Sequence, residues 1–449
     1  MRSVTRRSAR PALPAIGRLP GECRTDRSAC PHVSDAGDER ETQGYDASTR
    51  HVALAITALA LGGFAIGTTE FVTMGLLPEI AHGIGQSIPR TGHVITAYAL
   101  GVVVGAPVIV ALGARLPRRE LAVGLVLALG LGNAATAMAH GYWPVMAARF
   151  LAGLPHGAYF GVASLIAASL VSADRKGRAV SGVMLGLSVA TVVGVPASTW
   201  LGQQLGWRSA YWAVVAIVIV TAGLLLAAVP HTRGNRDATV TAELRALKRP
   251  QVLFAVTAGM VGFGGIFAMY SYVAPLVTRE ADLGRGAIPW FLLAFGIGSV
   301  AGSWLAGRLA DWDVERSIVG GFVAGIAVLV AVWLLAGVPV ALWVLVLLVG
   351  LLGSVLAINL QLRLMHVAGD AEMLGASLNH SSLNIANGLG AWLGALVIEQ
   401  GHGYRAPSLV GAGLALAGLL VFLLALRVQR RADVSADATP AEVEVVAST

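Results

Sequence analysis

The chain places a carboxylate inside an otherwise apolar run, in Gly67-Thr68-Thr69-Glu70-Phe71, with Thr73 and Pro78 following. An ionised, unpaired carboxylate near the middle of a bilayer costs several kcal/mol, so Glu70 has to face water, meet a cation or hold a proton. Reversible protonation is the chemistry such a residue offers. Two other readings suit it: a permanently hydrogen-bonded structural carboxylate, or one near an interface, where solvent makes the charge cheap. The matching cation is Arg149, which opens Arg149-Phe-Leu-Ala-Gly153-Leu-Pro155-His156-Gly157 in a later apolar run. It is a partner for Glu70 that tunes its proton affinity, or an arginine that snorkels toward the membrane edge.

Other hydrogen-bonding groups lie in further apolar runs. His380, Asn384 and Asn387 share one helical face by their spacing of four and three, with Asn379 beside them. Asn359 and Gln361, Tyr270 and Tyr272, and Thr69, Thr73, His156 and Tyr159 complete the groups expected around a substrate cavity. The competing reading is that buried amides and hydroxyls only hold helices together. Gly186, Gly194-Val195-Pro196 and Gly202 mark a helix distorted by glycine and proline, as a close-packed seam or simply a kinked packing helix. Arg115, Arg118 and Arg119 follow one run, and Gly307-Arg308-Leu309-Ala310-Asp311-Trp312 ends another. These charges are expected either to lock cytoplasmic helix ends together or only to mark the inner side.

Several chemistries are absent from the sequence. Lys176 and Lys248 are the only lysines and neither ends a Walker A loop, so ATP hydrolysis within this chain is not expected. There is no nucleophile elbow and no H-E-x-x-H pair, which argues against an enzyme. Cys23 and Cys30 both lie in the amino-terminal tail, where His32 makes at most a weak cluster, so neither a disulfide nor a metal is expected in the apolar region. No cofactor is implied, and transport would draw on a proton gradient.

The elements that must position these residues are membrane helices. Hydrophobic residues make up 56% of the 449 and charged ones 13%, with a mean hydropathy of +0.71. About twelve continuous runs of spanning length fit between His51 and Arg427, too long and unbroken for barrel strands. Shifted by 197 residues the region overlies itself, Pro78 on Pro275, Gly101 on Gly298, Gly105 on Gly302, Gly153 on Gly350 and Gly206 on Gly403. Such a repeat predicts two pseudo-symmetric six-helix bundles, over 51–229 and 251–427, joined by a cytoplasmic central loop at 230–250. A tail over 1–50 and another over 428–449 read as disordered and cytoplasmic, and a translation start nearer the first span would remove nothing able to pack.

The net charge of +7 comes from arginines in alternate loops, not from a basic patch with interleaved aromatics, so nucleic acid is not an expected partner. By the positive-inside rule both termini face the cytoplasm. The expected partners are the lipid bilayer, protons and a small-molecule substrate, and the expected working form is a monomer in the inner (plasma) membrane.

Over about residues 51–430 the chain resembles the major facilitator superfamily, in particular its drug:proton antiporter branch of arabinose-efflux-type permeases and chloramphenicol exporters. The resemblance rests on Gly67-Thr-Thr-Glu-Phe71, Ser87-Ile-Pro-Arg-Thr-Gly-His93, Tyr98-Ala-Leu-Gly-Val-Val-Val-Gly-Ala-Pro107, Gly153-Leu-Pro-His-Gly157 and Ser271-Tyr-Val-Ala-Pro275. It implies efflux of a drug or a sugar by alternating access. In the family's loop motif Leu112, Arg115, Arg118 and Arg119 match, while Val110, Ala114 and Pro117 depart from it; the second copy keeps Gly307, Leu309, Ala310 and Asp311. Arg149 and Gly153 resemble the family's proton-transfer element, and Gly194 and Pro196 its antiporter element, with Val195 in place of the usual glycine.

Overall fold

The structure is a computed structural model that describes residues 49–113, 116–172, 175–231, 249–368 and 372–437. Cys23, Cys30, His32, Arg115, most of the central connection and the end of the carboxyl-terminal tail lie outside those residues. The fold is all α. The first six long helices are α1 (Thr49–Gly75), α2 (Ile88–Gly113), α3 (Arg118–Met138), α4 (Tyr142–Ser169), α5 (Lys176–Leu205) and α6 (Trp207–Ala228). The second six are α7 (Pro250–Tyr270), α8 (Ile288–Trp312), α9 (Val314–Leu335), α10 (Pro339–Ala368), α11 (Glu372–Glu399) and α12 (Ala406–Asp437). Eleven helices of the described residues are long and apolar enough to cross a membrane, and α2, with 26 residues, is the remaining long one.

With lipid as solvent there is little hydrophobic drive between helices, so close backbone approach has to hold them. The matched glycines of the repeat supply it. A Cβ at Gly101 or Gly105 would overlap the carbonyls of Phe150 and Leu154, and one at Gly153 would overlap that of Tyr98, which locks α2 against α4. In the second half Gly298, Gly302 and Gly350 stand in the same relation to the carbonyls of Leu347, Leu351 and Phe295, locking α8 against α10. Each of these contacts maps onto its counterpart by the same 197-residue shift. Large apolar side chains on the outer surface, including Leu131, Trp143, Leu205, Trp290 and Val340, are exposed as expected of a lipid-facing wall.

The matched prolines break matched helices. Pro78 has no N–H for the Met74 carbonyl, and α1 gives way at Leu76 to a short helix, Leu77–Gly83. Pro275 leaves the Ser271 carbonyl without its helical donor, and α7 breaks after Tyr270 before resuming at Val273–Pro275. Pro196 does the same inside α5, where Ala190–Gly194 forms a π turn and the Val195 N–H reaches back to the Ala190 carbonyl. Gly194 packs there against Thr68 and the Phe64 ring, so the distortion also brings α5 onto α1.

The halves meet toward the extracytoplasmic side. Thr96 Oγ1 donates to the Gly388 carbonyl at 3.2 Å, Gln203 Nε2 donates to the Arg285 carbonyl at 3.0 Å, and Gly296 of α8 rides on the Thr191 carbonyl of α5. On the cytoplasmic side of these contacts lies a cavity of about 210 Å³. Its walls run from Phe71 and Phe267 down to Ser303, Ala357 and His380.

Candidate functional site

Glu70 sits in α1 at the head of this cavity, 6% exposed, and lines it. Its Oε1 accepts a hydrogen bond from Asn387 Nδ2 at 3.2 Å, across the two halves. Arg149 is fully buried in α4, but it forms no ion pair with Glu70. Instead its Nη1 donates to Thr69 Oγ1 at 3.0 Å and its Nη2 to the Thr69 carbonyl at 3.1 Å. Its guanidinium lies 4.2 Å from the Tyr98 ring centroid and 5.5 Å from that of Tyr211. Desolvated cation–π contacts of this kind contribute about 2 kcal/mol each, which helps a buried charge exist without a carboxylate partner. Arg149 therefore does not snorkel, and it is a neighbour of Glu70, not its counter-ion.

A polar network radiates from that point. Thr69 also donates to Asn133 Oδ1, and Asn133 returns its amide hydrogen to the Leu129 carbonyl. Tyr98, under the arginine, contacts His156 Nδ1 through its hydroxyl at 3.1 Å. His156 packs edge-on to Phe160, which stacks on His380 of the other half at 5.6 Å. Both histidines line the cavity, as does Asn384.

The rest of the expected cavity set lies elsewhere. Thr69 serves Arg149 and Asn133, Thr73 bonds the Tyr211 hydroxyl at 2.9 Å, and the Tyr159 hydroxyl donates to the Leu59 carbonyl at 2.8 Å. Tyr272 donates to the Ala391 carbonyl at 2.7 Å, Asn359 donates to its own helix at Val355, and Asn379 ties α11 to α10 at the Ala357 carbonyl. Tyr270 stacks on Phe295 at 3.9 Å, one layer behind the wall. In this conformation Thr69, Thr73, Tyr159, Tyr270, Tyr272 and Asn359 do not line the cavity and are engaged in helix-to-helix or intrahelical contacts. Most of their polar groups are met within the protein because an unmet polar group is costly there, while the Asn359 Oδ1 has no partner among the described residues.

The cavity wall is mostly apolar and aromatic. Phe71, Phe263, Phe267 and Phe295 line it, with Leu187, Ile266 and Leu383, and Ser188, Thr191, Ser299, Ser303 and Ser354 are scattered among them. Sequence reasoning missed these phenylalanines because a phenylalanine in a hydrophobic run looks like any other apolar residue. It also missed Asn133, Tyr98 and Tyr211, whose roles come from helix packing that brings distant positions together.

Arg119 and Arg308 make their cytoplasmic contacts within their own halves. Arg119 contacts Glu120 at 3.2 Å and the Val229 carbonyl at 3.5 Å, and Arg118 is half-buried. Arg308 stacks on Trp304 of its own helix at 3.6 Å, and Asp311 is exposed and joins no ion pair among the described residues. The expected lock at Arg308 and Asp311 is therefore not formed here, where the cavity extends toward these helix ends. An inter-helix clamp does form at Arg363, which reaches Glu315 at 2.8 Å and also bonds Gln429. Gly194 and Pro196 belong to the α5 distortion already described.

The Major Facilitator Superfamily model matches residues 59–376, more than half of the chain. The chain belongs to the Major Facilitator Superfamily. Inner membrane transport protein YdhP of Escherichia coli (strain K12) is 37% identical over 377 residues, covering 82% of this chain and 95% of the relative. A chloramphenicol resistance protein of Streptomyces lividans is 36% identical over 393 residues, covering 86% and 99%. Among solved structures, a bacterial homolog of the human lysosomal transporter Spinster aligns with a TM-score of 0.66 at 16% identity, over 84% of this chain and 96% of that one. The fold is that of the superfamily, and the chain is a multi-pass secondary transporter of the inner membrane, not an enzyme.

Proposed function

We propose that this Major Facilitator Superfamily transporter exports a small amphipathic compound bearing a flat ring from the cytoplasm, as a monomer, by proton antiport. The observation that carries the reading is Glu70: a carboxyl buried without an ion pair, at the head of a cavity walled by phenylalanines. Neutralising such a group by a proton removes the cost of burying its charge in the state that closes over it, and water entering the cavity lets it ionise again. Arg149, fixed beside it on Thr69, holds a positive charge near the carboxyl. Phe71, Phe263, Phe267 and Phe295 offer ring faces to an apolar substrate, with His156, His380 and Asn384 as polar anchors.

Sugar efflux is the weaker reading, since a sugar asks for many free hydrogen-bonding groups and most candidates here are engaged by other helices. In vesicles carrying an imposed pH gradient, Glu70→Gln should reduce gradient-driven flux to the level seen without a gradient. Unchanged flux in that variant removes the proton role. A susceptibility screen of cells with and without the protein, covering ring-containing antibiotics and sugars, tests the substrate class. Protection against sugar toxicity alone would overturn the ring-bearing substrate.

A further inference from the structure

We propose that Asn387 couples protonation of Glu70 to closure of the extracytoplasmic side, its amide pairing doubly with the protonated carboxyl in the closed conformation and only singly with the ionised one. The inference rests on the reading of Glu70 as the proton site. Asn387 belongs to α11 and Glu70 to α1, so the 3.2 Å hydrogen bond between them exists only while the two halves are together as they are here. Asn387 is fully buried, and its Oδ1 has no hydrogen-bond partner among the described residues. A carboxylate only accepts hydrogen bonds, so an ionised Glu70 takes the Nδ2 hydrogen and leaves Oδ1 orphaned beside a negative charge. A protonated Glu70 keeps that bond and gives its own O–H to Oδ1. The amide then has both of its functions met, in a ring of two hydrogen bonds.

The groups that face Glu70 do not supply this link themselves. Arg149, Tyr98 and His156 belong to the same half as Glu70, with Arg149 bonded to Thr69 and the Tyr98 hydroxyl bonded to His156. From the other half, Tyr270 stacks on Phe295 and His380 on Phe160. Asn387 is the group of the second half that bonds the carboxyl, and Gly388 beside it carries the Thr96 contact that joins α11 to α2. Closure and proton binding thus share one contact, and a state that gains from the proton is populated by it.

The test is a distance measurement between spin labels at Ser87 and Gly286, both exposed at extracytoplasmic helix starts of the two halves. Cys23 and Cys30 are replaced by serine, and Glu79→Gln is present throughout so that a second interfacial carboxyl does not contribute. With Asn387 intact, the closed-to-open ratio should rise as pH falls, by up to about tenfold per pH unit, the ceiling for one linked proton. Glu70→Gln should be closed at every pH, because its amide pairs with Asn387 without a proton. Asn387→Leu should weaken the pH response although Glu70 remains, leaving only the part that burial of the carboxyl supplies. Asn387→Asp should keep the response but move it to higher pH, since two carboxyls brought together share one proton. A full response in Asn387→Leu, or a response unshifted in Asn387→Asp, overturns the proposal. No pH response with Asn387 and Glu70 both intact overturns the reading of Glu70 instead.

Discussion

In the first half Gly153 lets the Tyr98 carbonyl close on α4, and in the second Gly350 does the same for the Phe295 carbonyl; yet one turn before Gly153 the first half buries Arg149, where the second has Val346. The same contrast recurs along the repeat. Pro78 and Pro275 both break their helices, while the next residue is the partly buried Glu79 in one half and the buried Leu276 in the other. Glu70 stands where the second half has Phe267, and the two positions end on the same cavity. Shared residues are those whose job is backbone geometry, and residues that differ are those whose charge or ring faces the interior. Duplicating a scaffold and diversifying its lining is the cheapest route to an asymmetric site, because backbone-to-backbone contacts tolerate so little change.

The largest expected effect comes from breaking the shared part. Gly153→Leu and Gly350→Leu each put a side chain where a neighbouring carbonyl already sits, and overpacking of that kind costs about 1–3 kcal/mol and often more when the obstacle is backbone. Thermal unfolding of the purified protein should show both variants destabilised to a similar extent. Gly161→Leu, on the same α4 but facing open space, should leave the melting temperature near that of the parent. Unequal losses at the two paired glycines would show that the halves are not energetically equivalent despite their equal geometry.

Much of this scaffold could be read from sequence because its determinants are local or repetitive. Run lengths gave the spans, Gly194 and Pro196 gave the distortion in α5, and the single shift of 197 gave the pairing of Gly101, Gly105 and Gly153 with Gly298, Gly302 and Gly350. The site was legible where a charge or polar group stands out against apolar neighbours, as Glu70, Arg149, His156 and Asn384 do. What each of them touches depends on helix rotation and crossing, which no residue type reports. Hence Arg149 turned out to hold Thr69, and Tyr272 turned out to bond the Ala391 carbonyl. The aromatic wall was invisible for a related reason: four phenylalanines from α1, α7 and α8 meet only in three dimensions.

The next effect tests the part that differs. Arg149→Lys keeps the charge but loses the planar face over Tyr98 and the forked reach to both Thr69 oxygens. Transport should fall about tenfold, the equivalent of one lost hydrogen bond or about 1.4 kcal/mol, while the melting temperature moves little. The counterpart Val346→Leu, a small overpacking change at a position without polar duties, should leave transport within about twofold of the parent, since conservative apolar swaps are the best tolerated. Equal loss in the two variants, in initial rates of gradient-driven flux, would sink the division of labour between the halves.

The smallest effect is expected at Glu79, the unmatched acid on the extracytoplasmic seam. Both of its carboxylate oxygens are buried and join no hydrogen bond among the described residues, and Arg285 of the other half approaches only to 4.0 Å. Burial therefore lifts its carboxyl above the ordinary carboxylate range, and Arg285 offsets this only in part. The sign follows directly. The closed form binds the proton more tightly than an open form that returns Glu79 to water, so closure is favoured below the raised value and loses that advantage as pH rises through it. Glu79→Gln should shift the neutral-pH ratio toward the closed form, by severalfold at most because Arg285 already relieves part of the burden. It should also reduce whatever pH response persists in Asn387→Leu. Spin-label distances between Ser87 and Gly286, compared with and without Glu79 in the Asn387→Leu background, measure that residue alone. A response that persists in the double variant and disappears with Glu70→Gln would belong to Glu70, and a full one would count against the role of Asn387.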